Sequence, residues 1–200
     1  MIPSRYRALL PILDQWFSRG TDAAGSGVVP CRSGCSACCH GPFDISPADA
    51  RLVAEGLAAL DPAVREGIAA RADEQLKRYA DLIDGWGAPW DVDGVEEASF
   101  DRLCEALHDL PCPALGAEGG CLIYAYRPAT CRMTGLAMAT DDGDVLENVC
   151  PIQGEFPVYA ALPPMTFDLR RFEARAEECD LAAAEAGWVA TTVAGVAGRM

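Results

Sequence analysis

Apolar residues return every three to four positions over residues 4–18, at Tyr6, Leu9, Leu10, Leu13, Trp16 and Phe17. That spacing predicts an amphipathic helix, with Pro11 kinking it or confining its start. Gly20 to Gly27 is a connector of small residues. Phe43-Asp44-Ile45 reads as a short extended piece, and Ser46-Pro47-Ala48-Asp49 then marks a helix start. Serine serves as N-cap, proline sits in the first turn, and an acid follows near the positive end of the helix dipole. This helix carries Leu52, Val53 and Leu57 to about Leu60. Asp61-Pro62 repeats the signal and opens a longer helix with Val64, Ile68, Ala72, Leu76, Tyr79, Leu82 and Ile83 on one side.

The rhythm then fails. Residues 85–94, rich in Trp, Gly, Pro and Asp, predict a loop whose Trp86 and Trp90 close over a core edge. A short helix is expected over 99–108, with Phe100, Leu103, Cys104 and Leu107 inward. Residues 110–132 show little helical periodicity. Met133–Thr140 and Val145–Val149 flank the turn Asp141-Asp142-Gly143-Asp144 and predict a hairpin. Pro157, Pro163 and Pro164 break the chain before a last long helix over 166–187, and an Ala/Val/Gly-rich tail follows Trp188. The expected fold is mainly α: an irregular helical single domain over 1–200, with two cysteine-rich loop segments and a small β-hairpin. Its core spans 28–187, its N-terminal helix 4–18 and its tail 188–200.

Composition narrows the function. Half of the 200 residues are hydrophobic, enough for one sizeable core. A net charge of −14 argues against a nucleic-acid partner, because phosphate contacts need a basic surface. No apolar run is long enough for a membrane span. The apolar residues of the first 17 positions are interrupted by Pro11, Asp14 and Gln15, with no small-residue cleavage site behind them. No secretory signal is therefore expected, and the location is read as cytoplasmic. In a reducing compartment, clustered thiols bind metal or do redox chemistry more often than they form structural disulfides.

The ten cysteines divide by context into eight and two. Cys31, Cys35, Cys38 and Cys39 lie within nine residues, separated only by Arg32 and the small Ser33, Gly34, Ser36 and Ala37, which let a loop wrap. Cys112, Cys121, Cys131 and Cys150 stand in Gly/Pro-rich or turn-adjacent positions. Cys104 and Cys179 fall inside expected helices, where cysteine is often a small buried hydrophobe. Eight thiols suffice for two four-coordinate zinc sites, or for an iron–sulfur cluster with four to spare. Adjacent side chains in an extended segment point opposite ways, so Cys38 and Cys39 would more naturally serve two sites. Cys112-Pro113 and Cys150-Pro151 resemble the Cys-Pro that closes bacterial ferredoxin motifs, which tips the reading toward iron–sulfur over zinc. His40 offers an imidazole in place of a thiolate, and His108 is read as structural.

Cys31-x3-Cys35-x2-Cys38-Cys39, followed by Cys112-Pro113 and Cys121-Leu-Ile-Tyr124-x2-Arg127-Pro128-x2-Cys131-Arg132, resembles a known family. It is the cysteine-cluster family of zinc- or iron-chelating proteins, which includes the cysteine-rich part of flagellin lysine N-methylases. The resemblance covers roughly residues 28–150 and implies metal or iron–sulfur chelation by the motif cysteines. In the second motif Arg127 and Arg132 flank Cys131, where they can offset thiolate charge and hydrogen-bond to sulfur. Tyr124 is either a donor beside the cofactor or a core aromatic.

Three functions compete. The first is a metal or iron–sulfur module for redox, electron transfer or metal-dependent assembly, with a protein redox or substrate partner. The second is a structural zinc protein. The third is an iron–sulfur enzyme of methyltransferase or radical type, since Cys31, Cys35 and Cys38 have the spacing of radical S-adenosylmethionine enzymes. Against that third reading, no run of alternating strands and helices is present to build a partial barrel. Catalysis is left open, and no catalytic residue is assigned.

Overall fold

A computed structural model of the chain describes residues 4–32, 34–147 and 150–200. Ser33 of the first cysteine stretch and the Asn148-Val149 end of the expected hairpin lie outside the described residues. The fold is mainly α with a small sheet, as the apolar rhythm predicts.

Helix α1 (Ser4–Ala24) buries Tyr6, Leu9, Leu10, Leu13 and Trp16, a stripe at helical spacing. It runs through Pro11 and on through most of the expected connector. Gly20 explains part of this: a Cβ there would stand 2.4 Å from the Leu136 side chain, so glycine lets the helix pass close to the chain beyond it. Helix α2 (Pro47–Ala58) starts as its signal predicts, with Ser46 accepting from the Asp49 amide. It buries eight of its twelve residues and faces two apolar clusters. Ala50, Val53, Ala54 and Leu57 join the first, with helices α3 (Pro62–Leu82) and α4 (Glu97–Ala106). Ala48 and Leu52 join the second, with α1 and helix α7 (Leu169–Glu185). Trp86 closes an edge of the first cluster, stacked on Tyr79.

Between these clusters the chain is irregular. A 3₁₀ turn covers Tyr124–Tyr126, and the short helices α5 (Ala129–Met133) and α6 (Pro157–Ala160) flank the sheet. Strand β1 (Met138–Thr140) pairs antiparallel with β2 (Val145–Leu146), the expected hairpin in shortened form. A third strand, β3 (Met165–Phe167), pairs parallel with β1, so the last long helix begins at Leu169 and not at 166. That pairing bridges more than twenty residues, and nothing in the local pattern announces it. The tail also folds in. Ile45 and Thr191 exchange backbone hydrogen bonds of 2.7 and 3.0 Å, and α8 (Val193–Ala197) buries all five residues against the first cluster.

Candidate metal centre

Glycines and turns shape the first cysteine loop. The Cys35 amide donates to the Arg32 carbonyl and the Cys39 amide to that of Ser36, each at 2.9 Å, so two successive turns coil the thiols together. A short antiparallel ladder ties this loop to the second cysteine stretch. The Cys112 amide donates to the Cys39 carbonyl at 2.8 Å, the Gly41 amide to that of Leu110 at 2.8 Å, and His40 bridges Pro111. Further along, Gly119 has φ +80°, and a Cβ there would meet the Gly34 carbonyl oxygen at 2.6 Å. Only glycine fits that approach of loop to loop. The two stretches, some eighty residues apart in sequence, thus form one platform.

Helices hold this platform from behind. Arg71 on α3 donates twice to the Pro113 carbonyl, at 3.0 and 2.7 Å, and buried Gln75 donates to that of Pro111 at 2.6 Å. Cys131 rides on α5, whose first amide, Ala129, donates to both oxygens of Asp49 at 3.2 and 3.1 Å. Gly56 on α2 leaves room for the 124–126 turn, since a Cβ would come within 2.6 Å of Tyr126. Cys150 is buried in the second cluster.

All ten cysteines are free, and the motif thiols act on one another in two overlapping groups. Cys31 is pushed up to about 11, first by burial and then by Cys150, Cys35 and Cys38. Cys150 is raised by burial and by Cys38 and Cys35. In the other group Cys112 is pushed up to about 11 by burial, with Cys121 adding to it. Burial also raises Cys131, reinforced by Cys112, Cys121 and, from the first group, Cys38, and it raises Cys121. Cys38 and Cys39 join the groups: a hydrogen bond between them holds Cys38 down and Cys39 up. Cys39 also feels Cys112 and Cys131. The vicinal pair therefore links the two groups, with Cys38 acting on Cys31 and Cys150 and also on Cys131. Among the described residues, no three His, Cys, Asp or Glu side chains already stand at the spacing that holds one metal ion.

The other predicted residues are placed differently from one another. Arg127 acts on Cys31, Cys38 and Cys121, lowering each, and its buried Nε has no hydrogen-bond partner. Arg132 is 7% exposed and fully engaged: Nη1 with Asp14 at 2.5 Å, Nε with the Arg127 carbonyl and Nη2 with that of Ala125, both at 3.1 Å. It fastens the motif to α1, and among the described residues none of its hydrogen bonds goes to sulfur. Tyr124 is 61% exposed, so it is no core aromatic; its ring carries the Arg127 guanidinium at 4.3 Å. His40 is exposed, with Nδ1 3.0 Å from the Ser36 carbonyl, which leaves Nε2 as the nitrogen able to bind a metal. His108 Nδ1 stands 3.0 Å from the Glu105 carbonyl of its own helix end. Cys104 on α4 and Cys179 on α7 are raised first by burial and then by nearby carboxylates, with no other thiol among the described residues acting on them. Sequence marks Asp49 only as a helix-start acid and Asp14 only as a break in an apolar run; their contacts with the second motif arise through the fold.

The donor set suits a positively charged soft centre. Thiols raised by burial and by one another are relieved by a cation that binds the thiolate. An unpartnered guanidinium N–H beside them suits an added sulfur acceptor. Residues 30–151, more than half of the chain, match the family model CxxCxxCC, described as "Putative zinc- or iron-chelating domain". No curated protein and no solved structure matches the chain.

Proposed function

The chain belongs to the CxxCxxCC family, and from that premise we propose that it binds iron–sulfur through its eight motif cysteines. One group is Cys31, Cys35, Cys38 and Cys150; the other is Cys39, Cys112, Cys121 and Cys131. The observation that carries this reading is the electrostatic convergence of thiols from distant segments, joined through the vicinal pair. When bound, such a centre supplies one-electron chemistry or a cross-link between loops. Cys31 and Cys38 are exposed, which leaves one side of the nest open to a protein redox partner. Arg127 offsets negative charge there and offers a hydrogen bond to sulfur. His40 Nε2 stands in reserve for a thiolate.

The division into two groups of four also supports a second reading, paired tetrahedral zinc sites. Anaerobic purification, a spectrum and a metal count separate them. A band near about 400 nm with iron and acid-labile sulfide supports the first. A colourless protein with stoichiometric zinc sinks it and leaves the second. Cys31→Ser and Cys121→Ser should each lower metal content, whereas Cys104→Ser should not. Full metal content after both of the first two changes would overturn the eight-thiol scheme.

A further inference from the structure

A groove of about 600 Å³ runs between α1 and the 124–127 turn, on the flank of the thiol nest. We propose that it binds a small organic carboxylate, the carboxyl on Arg127 and the apolar body against Leu10, Pro11, Phe17 and Leu52.

In a chain of net charge −14, the groove is lined by three arginines and one aspartate. That local excess draws an anion to it. The arginines are not equivalent. Arg132 has every nitrogen engaged and is structural. Arg7 is half-exposed at one end, with Nη2 on Glu55 at 2.6 Å. Arg127 places Nη2 on Asp14 at 3.1 Å and sits over the exposed Tyr124 ring, 4.3 Å from its centre, so two contacts orient it. One oriented guanidinium suits one carboxylate. A phosphate dianion needs more donors than this one guanidinium offers. The volume falls in the range of small-molecule pockets, which pair apolar walls with a few placed polar groups. Arg127 also acts on Cys31, Cys38 and Cys121, so the carboxyl would sit beside the proposed centre. The binding itself does not depend on which metal, if any, is held.

The test is calorimetric titration of the full chain, as purified, with 2-naphthoate. Its neutral analogue 2-naphthalenemethanol and inorganic phosphate serve as controls. Saturable binding of 2-naphthoate in roughly the millimolar range is expected, about 10-fold or more tighter than the alcohol. Arg127→Gln should weaken it by about the same factor, through loss of the charged pair. Ser18→Trp, at an exposed position on α1, should fill the groove and abolish binding with metal content and helical circular dichroism unchanged. If Arg127→Gln disturbs folding, Ser18→Trp decides. No saturation by about 10 mM, equal binding of acid and alcohol, or undiminished binding by Ser18→Trp would overturn the proposal. Tighter binding of phosphate would overturn the carboxylate assignment.

Discussion

Asp49 is the residue on which three helices meet. It lies in the first turn of α2, accepts the Tyr6 hydroxyl of α1 at 2.6 Å, and receives the leading amide of α5. Burial pushes its carboxyl up to about 6; the hydrogen bonds from Tyr6 and Ala129 oppose this, Asp180 adds to it and Arg132 opposes it. A folded pKa above the unfolded one means that its stabilisation is fully present below about pH 4 and is lost as pH rises through about 6. Two units correspond to about 3 kcal/mol at most. The stability of Asp49→Asn relative to the native chain should therefore improve by up to about 3 kcal/mol between pH 4 and pH 7. Urea unfolding of both chains at the two pH values measures this, and a flat difference would refute it. Arg127 and Arg132 teach the complementary lesson. Both flank Cys131 in sequence, yet Arg132 turns to Asp14 while Arg127 faces the thiols.

At the scale of elements, glycines decide how closely segments approach. An alanine in place of glycine inside a helix is ordinarily stabilising by about 1 kcal/mol. Gly56 reverses that expectation, because its Cβ would press within 2.6 Å of Tyr126. Gly56→Ala should destabilise the chain by about 1–3 kcal/mol through overpacking and displace the turn that carries Arg127. Chemical denaturation checks the first effect; a stabilised variant would show that the turn yields freely. Helix starts at Ser46 and Asp61 are legible because capping and proline placement are local. The full length of α1 was not, since Gly20 and its neighbours read as a connector until Leu136 packs on them. Strand β3 escaped for the same reason: three residues find their partner in β1, far back in the chain.

For the whole molecule, metal binding and closure of the fold are one equilibrium under the proposed function. Thiols drawn from residues 31–39, 112–131 and 150 must come together, so bound metal stabilises only the closed form. A metal held at a thousand times its dissociation constant adds about 4 kcal/mol, which for a chain of this size is roughly 8–16 °C in Tm. Removing metal with a chelator under reducing conditions should lower Tm by about that much, with helical circular dichroism largely kept. An unchanged Tm would show that the loops are held by α3, through Arg71 and Gln75, without help from metal. No helix among the described residues is long and apolar enough to cross a membrane.

The sequence alone determined that the chain is mainly helical and that two cysteine motifs in order mark a metal-chelating family. These are properties of spacing and local chemistry, which survive without a fold. Only the tertiary structure decided that Arg132 serves α1 while Arg127 acts on the thiols, and that the tail completes the core. Each of those depends on segments brought together from far apart in the chain, at approaches such as Gly119 to Gly34 that no local pattern encodes.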